Sequence, residues 1–162
     1  SVGLIPENEL TREAGVAMDP ITGGAVVDDT FMTNVPGIFS CGNVLHVHDL
    51  VDWVSMESEQ AGRFAAAYVK DGARPATGAA GNVTIKPGDG IRYTLPQSVS
   101  AGQDFVLSMR VTAPWRDRKV VVKNGEKTIS KKMARLHPAE MIRINVSKEV
   151  AAGGPAMEVS VE

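Results

Sequence analysis

The chain has 162 residues, of which 43% are hydrophobic and 22% charged. That is the make-up of an ordinary globular protein with room for one medium domain or two small ones. No apolar run approaches the ~18 residues that a membrane helix needs, and Ser1-Val2-Gly3-Leu4-Ile5-Pro6-Glu7 has neither the basic start nor the long apolar core of a secretion signal. The net charge of −2 conceals an asymmetry: residues 1–80 carry 4 Lys and Arg against 11 Asp and Glu, and residues 81–162 carry 13 against 8. Such a change of sign at mid-chain predicts two units of different character. In the basic half the cations are spread singly along strand-like segments without aromatic interleaving, which argues against nucleic acid. The one cysteine, Cys41, cannot close an internal disulfide. It lies in an apolar segment and reads as a small buried residue, which fits a reducing, cytoplasmic setting.

In chain order, an apolar run begins abruptly at Ser1 and leaves at Pro6. A short helical turn is expected over Leu10 to Ala14. Residues 15–18 and 25–28 read as two strands around the turn cluster Asp19-Pro20-Ile21-Thr22-Gly23-Gly24, and together predict a β-hairpin. Val35-Pro36-Gly37 is a turn into a short apolar strand, Ile38 to Cys41, which ends at the Gly42-Asn43 corner. A helix is predicted from Asp52, a natural N-cap, to Lys70. Its apolar face is Val54, Ala61, Phe64, Ala65, Tyr68 and Val69, and Gly72 stands just past its end. Residues 73–81 are rich in small residues and breakers and read as a linker. Beyond it the period changes to two. Strands are expected at Val83–Ile85, Ile91–Leu95, Phe105–Ala113, Lys119–Lys123, Lys127–Met133, Met141–Val146 and Met157–Val161, with no competing helix pattern. Asn124-Gly125 is the hairpin signal between two of them. Trp115 reads as a packing residue at a strand end. Seven short strands in this length predict an all-β sandwich of the immunoglobulin or fibronectin type.

The segment Thr33-Asn34-Val35-Pro36-Gly37-Ile38-Phe39-Ser40-Cys41-Gly42-Asn43 resembles the second FAD-binding motif of the pyridine nucleotide-disulfide oxidoreductase superfamily, T-x-x-P-G-I-[FY]-A-x-G-D. It matches at Thr33, Pro36, Gly37, Ile38, Phe39 and Gly42, and departs at Asn43, where most of the family has Asp. Gly3 to Asn8 and Gly24 to Asp28 are similar to what precedes that motif, so the resemblance covers residues 2 to 70. The run from Cys41 to Asp52 is similar to members that dehydrogenate amines, opines or sarcosine.

Read from the residues, a glycine at position 42 lets a backbone approach a ligand closely. The resemblance implies FAD there. Asn43 would accept a hydrogen bond from a ribityl hydroxyl, more weakly than Asp. The helix start at Trp53, Val54 and Ser55 would face the flavin's pyrimidine edge, where a helix N-terminus stabilises the negative charge of reduced flavin. His46-Val47-His48-Asp49 places two imidazoles on one face of an extended segment. Zinc needs three or four ligands, and the only further His or Cys donors are His137 and Cys41, so no metal is expected. His46 and His48 are candidate acid/base groups beside a pocket, or plain loop residues.

No G-x-G-x-x-G occurs; Gly88-Asp89-Gly90 is followed by Ile91-Arg92-Tyr93. The family's pyrophosphate site and its NAD(P) fold are therefore not in this stretch. The expectation is an α/β fragment, residues 1–72, forming the C-terminal part of a Rossmann-like FAD domain from a β-hairpin, a strand and a helix. A linker, 73–81, and a β-sandwich, 82–162, would follow. The resemblance implies an FAD-dependent oxidoreductase that moves hydride with NAD(P) or a partner dehydrogenase subunit as the other carrier, inactive without the rest of the flavoprotein chain. The alternative is a non-catalytic module whose sandwich binds a partner subunit. Neither membrane nor nucleic acid is an expected partner; substrate and oligomeric state stay open.

Overall fold

The computed structural model describes residues 4–71 and 82–162. The expected linker, 73–81, and Gly72 lie outside the described residues. The chain divides into two compact units, Ser1–Ala76 and Thr77–Glu162.

The first unit opens with a one-turn helix α1, Glu9–Glu13. The predicted hairpin over 15–28 is made, but as a single bridge between Met18 and Ala25 instead of two strands. It is closed by Asp19 N–H to Gly24 O at 2.8 Å and Val26 N–H to Ala17 O at 2.8 Å. The expected strand at Ile38 to Cys41 likewise shrinks to one bridge, Met32 with Phe39. The intervening turn explains why no ladder extends. Asp28 Oδ1 accepts from the amides of Thr30 (2.8 Å) and Met32 (3.2 Å) and from the Thr30 hydroxyl. The turn also forces Phe31 to φ 62°, where a strand cannot continue.

Helix α2, Val51–Asp71, follows a 3₁₀ turn at Gly42–Val44. Its less exposed residues, Val54, Glu57, Ala61, Phe64, Ala65 and Tyr68, recur at three- and four-residue spacing, the signature of a helix with one covered face. Tyr68 meets Phe39 edge-on at 5.9 Å. Val69, expected on that face, is 82% exposed, since it is one residue round the helix from Tyr68.

The second unit is mostly β. Among the described residues its eight strands are β1 Asn82–Pro87, β2 Ile91–Leu95, β3 Ser98–Ser100, β4 Phe105–Val111, β5 Trp115–Asn124, β6 Lys127–Leu136, β7 Ile142–Val146 and β8 Ala156–Val161. They form two sheets, ordered β3-β1-β8-β5-β6 and β2-β4-β7. β1 pairs with β8 in parallel, and the other pairs are antiparallel. Alternation carries the inward residues of both sheets into one core, including Val83, Leu107, Met109, Val120, Val122 and Val159. Trp115 is half-buried and packs on that core.

Three local expectations need correction. β3 is an eighth strand, too short and too polar (Ser98-Val99-Ser100) to show a period. A four-residue helix α3, Lys148–Ala151, forms where no helix was expected. The β5–β6 turn lies one residue later than Asn124-Gly125. Asn124 is paired in register with Lys127, and Gly125 supplies the positive φ of 58°. The Asn124 side chain points inward instead, donating to Val150 O (2.9 Å) and Ala151 O (3.1 Å) at the end of α3.

Candidate functional site

The chemistry-bearing residues of the first unit gather where the Gly42–Val44 turn meets α2. Gly42 takes φ 71°, a conformation that costs a side-chain-bearing residue roughly 1–2 kcal/mol. Leu45 N–H and His46 N–H both return to Gly42 O, at 2.9 and 3.2 Å. The turn is held from the other side by Asn8, which is 2% exposed. Its Nδ2 donates to Val44 O at 2.7 Å and to Gly23 O at 3.0 Å. Gly24 is packed so closely on the Leu45 carbonyl that any side chain there would collide with it.

His46, His48 and Glu57 converge inside this frame, and all three are buried. His46 Nε2 lies 3.0 Å and His48 Nε2 3.2 Å from the same carboxylate oxygen, Glu57 Oε2. The other oxygen, Oε1, accepts the Gly42 amide hydrogen at 2.7 Å. The two imidazoles stand edge-to-face with centroids 4.3 Å apart. Burial by itself would raise the Glu57 carboxyl. The hydrogen bonds from His46 and His48, reinforced by their charge, outweigh it and bring the pKa from 4.5 to about 2. An ionised carboxylate only accepts, so both Nε2 atoms carry hydrogen in this arrangement. His48 Nδ1 is buried and has no hydrogen-bond partner among the described residues.

The sequence-derived candidates fall around this cluster unevenly. Asn43 is half-buried, and its Oδ1 accepts from His48 N–H at 3.1 Å; it clamps the loop that carries both histidines. One lone pair of that oxygen remains for another donor. At Gly42 an added Cβ would meet Val54 Cγ1 at 3.4 Å and Ser58 Oγ at 3.7 Å. The glycine is therefore required by its φ, beside α2, and its amide is already engaged by Glu57. Helix α2 starts at Val51, one residue before the expected Asp52. Trp53 N–H bonds Leu50 O at 3.2 Å, and helix geometry puts the Val54 and Ser55 amides inside the ladder. The amides with no acceptor among the described residues are those of Val51 and Asp52. Cys41 is half-buried and free, more open than the small buried residue expected. His137 belongs to the second unit.

Glu57 and Asn8 are the residues that sequence reasoning passed over. Glu57 carried a usable signal: it lies three residues after Val54 and four before Ala61, on the covered stripe of α2, where a lone charge demands a partner. Asn8 carried only a local signal, as the residue before α1 whose Oδ1 accepts from Thr11; the carbonyls its amide holds are 15 and 36 residues away.

The donor atoms of His46, His48 and Glu57 all lie within 4.8 Å of one another. This is the one group of three or more such residues found among the described residues. No protein-family model, curated protein or solved structure matches the chain.

Proposed function

We propose that residues 1–72 are the C-terminal part of the FAD-binding domain of an oxidoreductase of the pyridine nucleotide-disulfide type. Residues 82–162 are then an appended sandwich of immunoglobulin or fibronectin type. In this reading FAD supplies hydride transfer, NAD(P) or a partner dehydrogenase subunit is the other carrier, and an amine-, opine- or sarcosine-like compound is the substrate.

The observation that supports it best is the pairing of the Asn43 corner with an open helix N-terminus. Gly42 at positive φ packs on Val54, Asn43 stands next to it with acceptor capacity to spare, and the Val51 and Asp52 amides have no acceptor among the described residues. A helix N-terminus favours developing negative charge by about 0.3–1 kcal/mol, and by more where partly buried. This moves the flavin-facing amides from the Trp53–Ser55 stretch to Val51 and Asp52. A second fact agrees. Among the described residues, the exposed large apolar side chains, Leu4, Ile5, Leu10, Val51 and Val69 included, all fall in the first unit. An α/β body packed on that unit would cover such surface.

The test is to express the chain with the reading frame that precedes it and to measure bound flavin by visible absorbance. A strand followed by G-x-G-x-x-G upstream and a yellow protein support the reading. An unrelated upstream sequence, or a folded longer protein that takes up no FAD, overturns it. The 162-residue chain alone is expected to stay colourless when mixed with FAD.

A second reading, an interaction module, is favoured by the β5–β6 hairpin. Arg116 stands opposite Arg135, and both border a groove with Trp115 and His137. Neither arginine makes an ion pair among the described residues. Like charges facing across a ladder are unfavourable unless an anion joins them, so an acidic partner is the expected occupant. Salt-sensitive binding to the second unit that Arg116→Ala abolishes would favour this reading.

A further inference from the structure

The buried cluster does more than the flavin reading asks of it. We propose that His46 Nε2, His48 Nε2 and Glu57 Oε2 together bind one divalent ion of the zinc class, leaving a fourth coordination position open.

Four arguments carry this. The first is distance. Zinc bonds of about 2.0–2.1 Å in tetrahedral array hold neighbouring donors about 3.3 Å apart. The two edges to Glu57 Oε2 are 3.0 and 3.2 Å and all three donors lie within 4.8 Å of one another, so side chains that already converge need only draw together around an ion. The second is donor type. Two imidazoles and one carboxylate are a complete three-ligand set for zinc with an open site, and Asn43 and Gly42 fix the backbone that aims them.

The third is the outer shell. Glu57 Oε1 is held by the Gly42 amide at 2.7 Å, which orients the carboxylate and leaves Oε2 to face the rings, as second-sphere bonds do in metal sites. The fourth is the free nitrogen of His48. The proton of a neutral imidazole sits where its hydrogen bonds put it. Nδ1 of His48 has no partner among the described residues, so moving the proton from Nε2 to Nδ1 breaks no bond at Nδ1 there. The freed Nε2 lone pair then faces the ion. The Nε2 proton of His46 must likewise leave that nitrogen, to solvent or to its own Nδ1, because metal binding releases protons from its ligands. The proposal does not depend on the flavin, and its test contains none.

Chelator-treated chain is titrated with Zn²⁺ by calorimetry and with Co²⁺ by visible spectroscopy, with circular dichroism on every metal-free sample. The expected result is one ion per chain and the intense visible bands of four-coordinate Co²⁺. His48→Ala and Glu57→Gln should weaken binding at least about a hundredfold, beyond the range for loss of a second-sphere contact, while His137→Ala and Cys41→Ser leave it unchanged. If a variant loses its fold, the histidine ring signals of the wild-type chain decide. One equivalent of Zn²⁺ must shift those of His46 and His48 and spare His137. A folded wild-type chain that binds no stoichiometric ion, binding that a folded His48→Ala retains, or a shift confined to His137 overturns the proposal.

Discussion

Glu57 Oε1 accepts the amide hydrogen of Gly42 across 2.7 Å, so a single carboxylate joins the second turn of α2 to the corner that precedes it. The same group receives both histidines on its other oxygen. Corner, loop and helix are thus one mechanical unit, and disturbing Glu57 disturbs all three.

Glu57→Ala removes the acceptor of three hydrogen bonds at once and leaves their donors buried. Breaking a buried charged pair in this way costs about 3–5 kcal/mol. Glu57→Gln retains an oxygen that the Gly42 amide can use and should cost less, about 1.5–3 kcal/mol. Urea unfolding of metal-free protein, followed by Trp53 fluorescence in a Trp115→Phe background, measures both. Equal stability of wild type and Glu57→Ala would remove the carboxylate from any structural role.

The depressed Glu57 pKa sets a pH dependence of known sign. The folded value, about 2, lies below the unfolded 4.5. Stability from this group is therefore full above pH 4.5, declines below it, and is gone once pH falls through about 2. At 1.36 kcal/mol per unit the effect is on the order of 3 kcal/mol. Denaturant midpoints of chelator-treated chain between these limits should fall for wild type and flatten for Glu57→Gln. Parallel profiles for the two proteins would contradict the assignment.

Asn43 has a role that can be measured without any cofactor. Asn43→Ala strips His48 N–H of its acceptor and should cost about 0.5–1.5 kcal/mol, whereas Asn43→Asp offers a charged acceptor and strengthens the bond. Amide hydrogen exchange at His48 reads this directly: faster in the alanine variant, slower in the aspartate one.

In the second unit, Asn124→Ala removes the side-chain donor from Ala151 O and from Val150 O, which keeps only the Gly153 N–H at 3.0 Å, and should cost about 1–3 kcal/mol. Asn124→Asp is expected to be worse at neutral pH, because it turns a carboxylate toward two carbonyls in a site that is 0% exposed. Thermal unfolding of the two variants gives the order, and the aspartate variant should recover as acid neutralises it.

These residues also show what could be read before the structure. α2 was legible almost to the residue, because helix propensity and a three-to-four spacing agree along it. β2 was legible as Ile91–Leu95, and the inward alternation of β4 was plain. The first unit has single bridges where the sequence predicts strands, because the Asp28 side chain accepts the Thr30 and Met32 amides and bends the backbone before a ladder can extend. The turn at Gly125 was displaced because an Asn-Gly pair says nothing about an inward use for the amide of Asn124. The third donor of the buried cluster was missed for a related reason. Glu57 and Glu59 look alike in sequence, yet Glu59 pairs with Arg63 in solvent, and only the phase of the helix separates them. His46 and His48 announced themselves; the residue that unites them sits nine positions on.

The place of β8 in its sheet has a consequence for how the protein is made. It comes latest in the chain among the eight strands, yet it lies between β1 and β5. Until residue 161 has cleared the ribosome, the pair β3-β1 and the hairpin β5-β6 have nothing to join them. The second unit must then wait for the end of its own translation before its sheet can close. Loss of a few residues from β8 would dismantle the centre of the sheet, not its fringe.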